Sequence, residues 1–157
     1  MEAIKIARAA ALAVTMLLGL EAMAPRPYLD IAGVLTDCVG NTKDVSWDKL
    51  RTKAECMALL ESEVGRRVLD IAKDLPDDNW TINNLAAYTS WHYNVSDVGR
   101  GTAYDTSTVR KLIRAGKYEQ ACYGMGAWNK ITVNGKKVES RGLTNRRNKE
   151  IAVCLRK

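Results

Sequence analysis

The chain has 157 residues, enough for one domain or two small lobes sharing a core; 46% apolar and 27% charged residues exclude wholesale disorder. No stretch approaches the ~20 uncharged apolar residues of an ordinary membrane span, so the composition reads as a soluble, folded protein. The net charge of +6 is lopsided: residues 106–157 hold 13 Lys and Arg against 3 Asp and Glu, whereas residues 1–105 hold 11 against 15. A basic face of this kind attracts polyanions such as nucleic acid, anionic lipid or an acidic polymer, or is simply a solvated lysine-rich surface.

In chain order, residues 3–22 predict a first helix with an Ala- and Leu-rich body, Lys5 and Arg8 early and Glu21 at its end. Pro25 and Pro27 cannot continue it. Residues 28–47, punctuated by Gly33, Gly40 and Asn41, suit a small antiparallel sheet with tight turns. Thr52-Lys53-Ala54-Glu55 is a capping box. The apolar run that follows it (Met57, Leu60, Val64, Val68, Ile71) predicts a connecting helix over about 53–75, stopped by Pro76. Residues 81–95 read as a helix, although their apolar spacing is mixed. Ser107 caps a helix over 108–115 that Gly116 stops, residues 118–128 form another, and Val133-Asn134-Gly135-Lys136 signals a hairpin turn. Thr144 is the candidate cap of a final helix containing Ile151, Cys154 and Leu155. The expected architecture is α+β: one domain over 1–157, with a small sheet lobe at about 26–60 joined by the long helix to a helical lobe at about 76–157.

Four cysteines, Cys38, Cys56, Cys122 and Cys154, include no C-x-x-C pair, and His92 is the sole histidine, which argues against a structural zinc site. Two disulfides in an oxidising compartment and four buried thiols are equal alternatives. If they pair, the layout favours Cys38 with Cys56 and Cys122 with Cys154, each within one lobe. His92 reads as an exposed or hydrogen-bonded structural residue, and the Trp residues as core.

Residues 19–42 carry the chemistry. Glu21 closes a helix whose upstream side is almost wholly apolar, Asp30 stands nine residues later at the sheet, and Thr36 six beyond that. A carboxyl at the mouth of an apolar wall has its neutral form favoured, which suits a general acid; a second carboxylate in a more solvated turn can hold a water. Glycoside hydrolysis needs such a pair, although most Asp and Glu pairs are surface charge.

With these residues in view, the sequence resembles the phage lysozyme family, the endolysins of glycoside hydrolase family 24. Their pattern of Glu, eight residues, Asp, five residues, Thr is met by Glu21, Asp30 and Thr36 within Tyr-Leu-Asp-Ile-Ala-Gly-Val-Leu-Thr. The resemblance extends through Lys53–Leu60, Tyr93-Asn94-Val95, Ser107–Leu112, Ala121-Cys122, Trp128, and Gly142-Leu143 with Arg146, Arg147 and Glu150. Members commonly have Thr-x-x-Tyr-Gly-His where this chain has Thr36-Asp37-Cys38-Val39-Gly40-Asn41. With the three motif residues intact, that departure implies altered stability or ion pairing rather than lost activity. The loop 96–106 looks longer than usual and would reshape one groove edge.

The resemblance implies a lysozyme-like fold and a muramidase that cuts the β-1,4 bond between N-acetylmuramic acid and N-acetylglucosamine in peptidoglycan, causing host cell lysis. Glu21 would protonate the glycosidic oxygen, and Asp30 with Thr36 would position water on the opposite face, with inversion. Tyr93 and Asn41 are candidates for lining the sugar groove, with packing or turn roles as the alternative. No metal or cofactor, no nucleic-acid partner and a monomer are expected. Rival readings are a lytic transglycosylase, against which Asp30 argues, and a catalytically silent wall- or polyanion-binding protein on the same scaffold.

Some family members use a weakly hydrophobic N-terminal segment as a releasable membrane anchor. Ala9–Leu20 suits a marginal anchor, since twelve helical residues rise only ~18 Å against a ~30 Å hydrocarbon core. Ala22-Met23-Ala24 resembles a signal-peptide cleavage site, but cleavage there would remove Glu21, and Pro25 disfavours it. The expectation is synthesis in the host cytoplasm and action at the periplasm and cell wall, with the first helix packed in the active form.

Overall fold

The computed structural model describes residues 2–157. Helix α1 (Glu2–Leu20) presents Ala9, Ala13 and Leu17 on one stripe, all fully buried. Small side chains at this spacing bring the helix close against its neighbours. The helix is longer than the twelve apolar residues first suggest. Nineteen residues rise about 28 Å, and at a mean hydropathy of 1.8 it is long and apolar enough to cross a membrane. Its uncharged run is still only Ala9–Leu20, as the sequence expects; the extra length comes from Lys5 and Arg8, which lie inside the helix without ending it.

The chain then enters β1 (Met23–Leu29), which pairs antiparallel with β2 (Leu35–Val39). Pro25 and Pro27 lie within this strand rather than before it. The ladder is irregular between Ala24 and Tyr28, and a proline without an N–H is tolerated at such a bulge and on an edge strand. Tyr28 opposes Thr36, and Leu29 opposes Leu35.

Helix α2 (Lys53–Ala72) starts at the expected capping box, with Thr52 and Glu55 each bonding the other's backbone N–H. It ends at Ala72, three residues short of the expected boundary, and a turn leads to Pro76. The disulfide Cys38–Cys56, with Cα atoms 4.9 Å apart, ties β2 to its first turn.

Helix α3 (Ile82–Val95) is the core axis and packs against both α1 and α2. Residues Asn84 to His92 are all buried. A helix enclosed on every side has no single apolar stripe, which explains its mixed spacing. Around it stand α4 (Thr108–Arg114), α5 (Tyr118–Gly124), a 3-10 turn at Met125–Ala127, and α6 (Arg141–Cys154). Trp91 meets Tyr104 and Trp128 edge-on at centroid distances of 6.1 and 5.6 Å. Trp80 and Trp91 are core as expected, whereas Trp47 is exposed. Cys122–Cys154 joins α5 to α6 with Cα atoms 5.7 Å apart, so both disulfides follow the within-lobe pairing.

A hairpin of β3 (Lys130–Val133) and β4 (Lys136–Glu139) projects between α5 and α6, turning at Asn134 and Gly135, both with positive φ. Ser140, not Thr144, caps α6, accepting from the Leu143 N–H. The Ser140 N–H closes the hairpin onto the Asn129 carbonyl, so the helix begins as soon as the strand ends.

Candidate active site

A cleft of about 620 Å³ runs between the sheet lobe and the helical lobe. Glu21, Asp30, Thr36, Asn41 and Tyr93, the five residues singled out by the sequence, all line it.

Glu21 follows the last residue of α1, and its N–H still bonds the Leu17 carbonyl at 2.8 Å, so helix packing fixes its Cα. Its carboxylate is held from behind by the Arg146 guanidinium of α6. Across from that pair stands Gly40, at φ +67°; a Cβ there would lie 3.3 Å from the Glu21 Cδ. Backbone on one side and an arginine on the other leave the Glu21 side chain 22% exposed, in a residue that lines the cleft.

Asp30 sits at the β1–β2 turn. Its Oδ1 accepts the N–H groups of Ala32 at 2.9 Å and Val34 at 2.8 Å, an Asx-type arrangement that fixes the side chain. The buried Thr36 hydroxyl donates to the Val34 carbonyl at 2.8 Å. Its hydrogen is thereby committed, and its lone pairs remain to accept from a water.

Tyr93 lines the cleft, but its hydroxyl donates to the Val39 carbonyl, and the Arg67 guanidinium lies 5.1 Å from its ring centre. Burial first, then the carboxylates nearby, push its hydroxyl up to about 12. The Asn41 amide donates to Asp37 at 2.7 Å and to the Lys43 carbonyl at 3.0 Å. Buried Asp37 also takes the Arg51 Nε at 2.8 Å. Asn41, one of the two departures from the family's usual residues, is therefore bonded to a carboxylate that Arg51 already pairs.

Several cleft residues were not singled out by the sequence. Tyr28 projects from β1 into the same space. Burial, followed by the charges of Glu21, Asp30 and Asp37, raises its hydroxyl above the ordinary range. At one end of the cleft Lys43 reaches Asp97 at 3.5 Å and Glu63 at 3.8 Å, and Arg67 bonds Glu63. Burial alone would raise the Glu63 carboxyl, but Arg67, Lys43 and Arg66 outweigh it and hold it below its usual range. Ser96 and Asp97, at the start of the long loop, do form one edge of the groove. Arg146 is 125 residues from Glu21, so only the tertiary structure reveals their contact. Besides its place in the family resemblance, its sequence trace is the charge spacing Arg146, Arg147, Glu150 on a helix. Among the described residues no three His, Cys, Asp or Glu side chains converge as metal ligands.

A small antiparallel sheet, a long connecting helix, a helical lobe and a carboxylate-lined cleft between them define a lysozyme-type glycosidase. The chain belongs to the phage lysozyme family, whose match covers residues 19–150, and it is a peptidoglycan-hydrolysing lysozyme of the endolysin type. It is 38% identical over 152 residues to the SAR-endolysin of Pseudomonas phage phiKMV, covering 94% of this chain and 90% of that protein. It is also 38% identical over 142 residues to the SAR-endolysin of Enterobacteria phage P21, covering 87% and 78%. Among solved structures, the endolysin from Escherichia coli O157:H7 phage FAHEc1 superimposes with a TM-score of 0.78 at 30% identity, covering 92% of this chain and 90% of that one.

Proposed function

We propose that this chain hydrolyses the β-1,4 bond between N-acetylmuramic acid and N-acetylglucosamine with inversion, using Glu21 as general acid and Asp30 with Thr36 to position the attacking water. The observation that carries this reading is the placement of Glu21 and Asp30 in one cleft, each fixed by a different device. Both backbone bonds to Asp30 fall on Oδ1, which leaves Oδ2 for a water. Thr36 supplies the second acceptor that such a water needs. As the glycosidic bond breaks, Glu21 gives its proton to the leaving oxygen, and Asp30 takes a proton from the attacking water. Tyr93 and Asn41 shape the groove wall rather than offer free polar groups, since their hydroxyl and amide are already engaged.

The same reading extends to location. Helix α1 spans the inner membrane before release and then packs as found here, a sequence of states supported by its length and hydropathy and by the SAR-endolysin relatives. Two disulfides favour an oxidising compartment, such as the periplasm. The released enzyme acts as a monomer on glycan strands.

Glu21→Gln is expected to abolish clearing of purified peptidoglycan while melting like the parent. Asp30→Asn should lose about 10²–10⁴-fold, the usual contribution of a placed acid or base. Wild-type-like turnover by Glu21→Gln would remove the mechanism. Product masses carrying one added water separate hydrolysis from transglycosylase chemistry, and intact mass of membrane and soluble fractions tests retention of α1.

A further inference from the structure

Behind the cleft wall, Arg146 joins a cluster of charged groups whose other members the proposed chemistry does not use. Glu150 of α6 is fully buried, with Arg147 1% and Arg146 8% exposed. Glu150 Oε1 lies 2.8 Å from the Arg147 Nε and Oε2 lies 3.7 Å from the Arg146 Nε. The Ser90 hydroxyl of α3 donates to Oε2 at 2.5 Å. Arg146 Nη2 bonds the Ser90 carbonyl at 3.4 Å, and Arg147 Nη2 bonds the cleft residue Asn94 at 2.6 Å. A chain of opposite charges therefore runs Glu21, Arg146, Glu150, Arg147, from cleft to core.

Such a cluster is an expensive way to hold a helix. Ionised groups lose hydration on burial, and apolar replacements of similar volume are often as stable or more so. Several polar atoms here, including Arg147 Nη1 and the Nε of both arginines, lack a well-aligned hydrogen-bond partner. Burial raises the Glu150 carboxyl despite both arginines and lowers the Arg147 guanidinium to about 10. The fold alone gives no reason for this arrangement, whereas contact with Glu21 does.

We propose that Glu150 is a positioning residue for the hydrolysis and that, with Arg147, it sets how tightly Arg146 holds the Glu21 carboxylate. The inference rests on Glu21 being the general acid. An acid must carry its proton when substrate binds, yet Arg146 favours the charged carboxylate. Glu150, on the far side of Arg146, offsets that pull, and Arg147 moderates Glu150 in turn. The other groups facing Glu21 are Tyr28 of β1, Tyr93 of α3, and Asp30 and Asp37 of the sheet lobe, with Asp37 neutralised by Arg51. None of these touches Arg146 from behind.

The signs are opposite for the two partners. Glu150→Gln keeps the shape, removes the offsetting charge and lets Arg146 hold the Glu21 anion more strongly. The alkaline limb of the kcat profile then moves to lower pH by about one unit, roughly tenfold in rate on that limb. Arg147→Gln strengthens the offset and moves the same limb upward. The double variant Arg147→Gln/Glu150→Gln brings it back near the parent position. Rates are measured as reducing ends released from purified peptidoglycan, beside melting temperatures. A structural role alone would lower melting temperature in both single variants without opposed limb shifts. Limbs that do not move, or that move the same way, overturn the proposal. If Glu150→Gln fails to fold, an upward shift in Arg147→Gln that the double variant cancels supports it, and its absence overturns it. Active Glu21→Gln would defeat the parent reading; inactive Glu21→Gln with unmoved limbs defeats only this one.

Discussion

At Gly40 the backbone comes close to the proposed acid, and two independent constraints bear on it. Its left-handed φ of +67° costs an L-residue about 1–2 kcal/mol, and a Cβ would press on the Glu21 carboxyl at 3.3 Å. Gly40→Ala is therefore expected to lose about that much stability and to lose activity beyond it, because the carboxyl must move. Chemical denaturation beside turnover checks the pair; equal fractional losses in both would mean that Gly40 matters only for folding. His92, on the other side of α3, makes a pH prediction. Its Nε2 is 2.9 Å from the Asp70 Oδ2, and its buried Nδ1 has no partner. Burial and the nearby Arg67 charge lower its proton affinity, while Asp70 works against them. The Tyr104 ring, 4.9 Å away, covers one face. Because the unfolded imidazole binds a proton more readily than the folded one, stability is full above about pH 6.5 and falls as pH drops below it. His92→Gln should flatten the slope of melting temperature between pH 7 and 5; an unchanged slope would assign it to carboxylates elsewhere.

At the scale of the element, the proposed release from a membrane requires α1 to suit two environments. Its inner stripe of Ala9, Ala13 and Leu17 has no room to spare, while Ile4 and Leu18 stay exposed. Ala13→Leu is expected to leave hydropathy at least as high but to cost about 1–3 kcal/mol in the packed form. Membrane fractionation should then show the tethered species unchanged and the released, active species depleted. How legible each element was depended on whether its determinants are local. The Thr52 box, the Ser107 cap, the Gly116 stop and the Asn134-Gly135 turn are read within four residues, and each is where the sequence put it. The strand through Pro25 and Pro27 was not legible, because its tolerance comes from an irregular ladder that only pairing creates. Glu21, Asp30 and Thr36 stand out through the spacing of the family they resemble, and all three line the cleft. Arg146 belongs to the resemblance but carries no role there, since no local rule places a guanidinium against a carboxyl 125 residues away.

For the molecule as a whole, the two disulfides stabilise the sheet lobe's junction with α2 and the helical lobe separately, and neither bridges from one lobe to the other. Each is expected to contribute about 2–4 kcal/mol. Reduction should lower the melting temperature by an amount that the variants Cys38→Ser/Cys56→Ser and Cys122→Ser/Cys154→Ser share between them; insensitivity to reductant would contradict this. The β3–β4 hairpin has a different consequence. All four residues of β4 and three of β3 are exposed, and the strands pair chiefly with each other. Its tip at Asn134 and Gly135 carries no core side chain. Lengthening a surface loop costs little, about 0.6 kcal/mol per doubling. The hairpin is thus a natural graft port, where a foreign wall-targeting peptide could be displayed while the helices close beneath it as before.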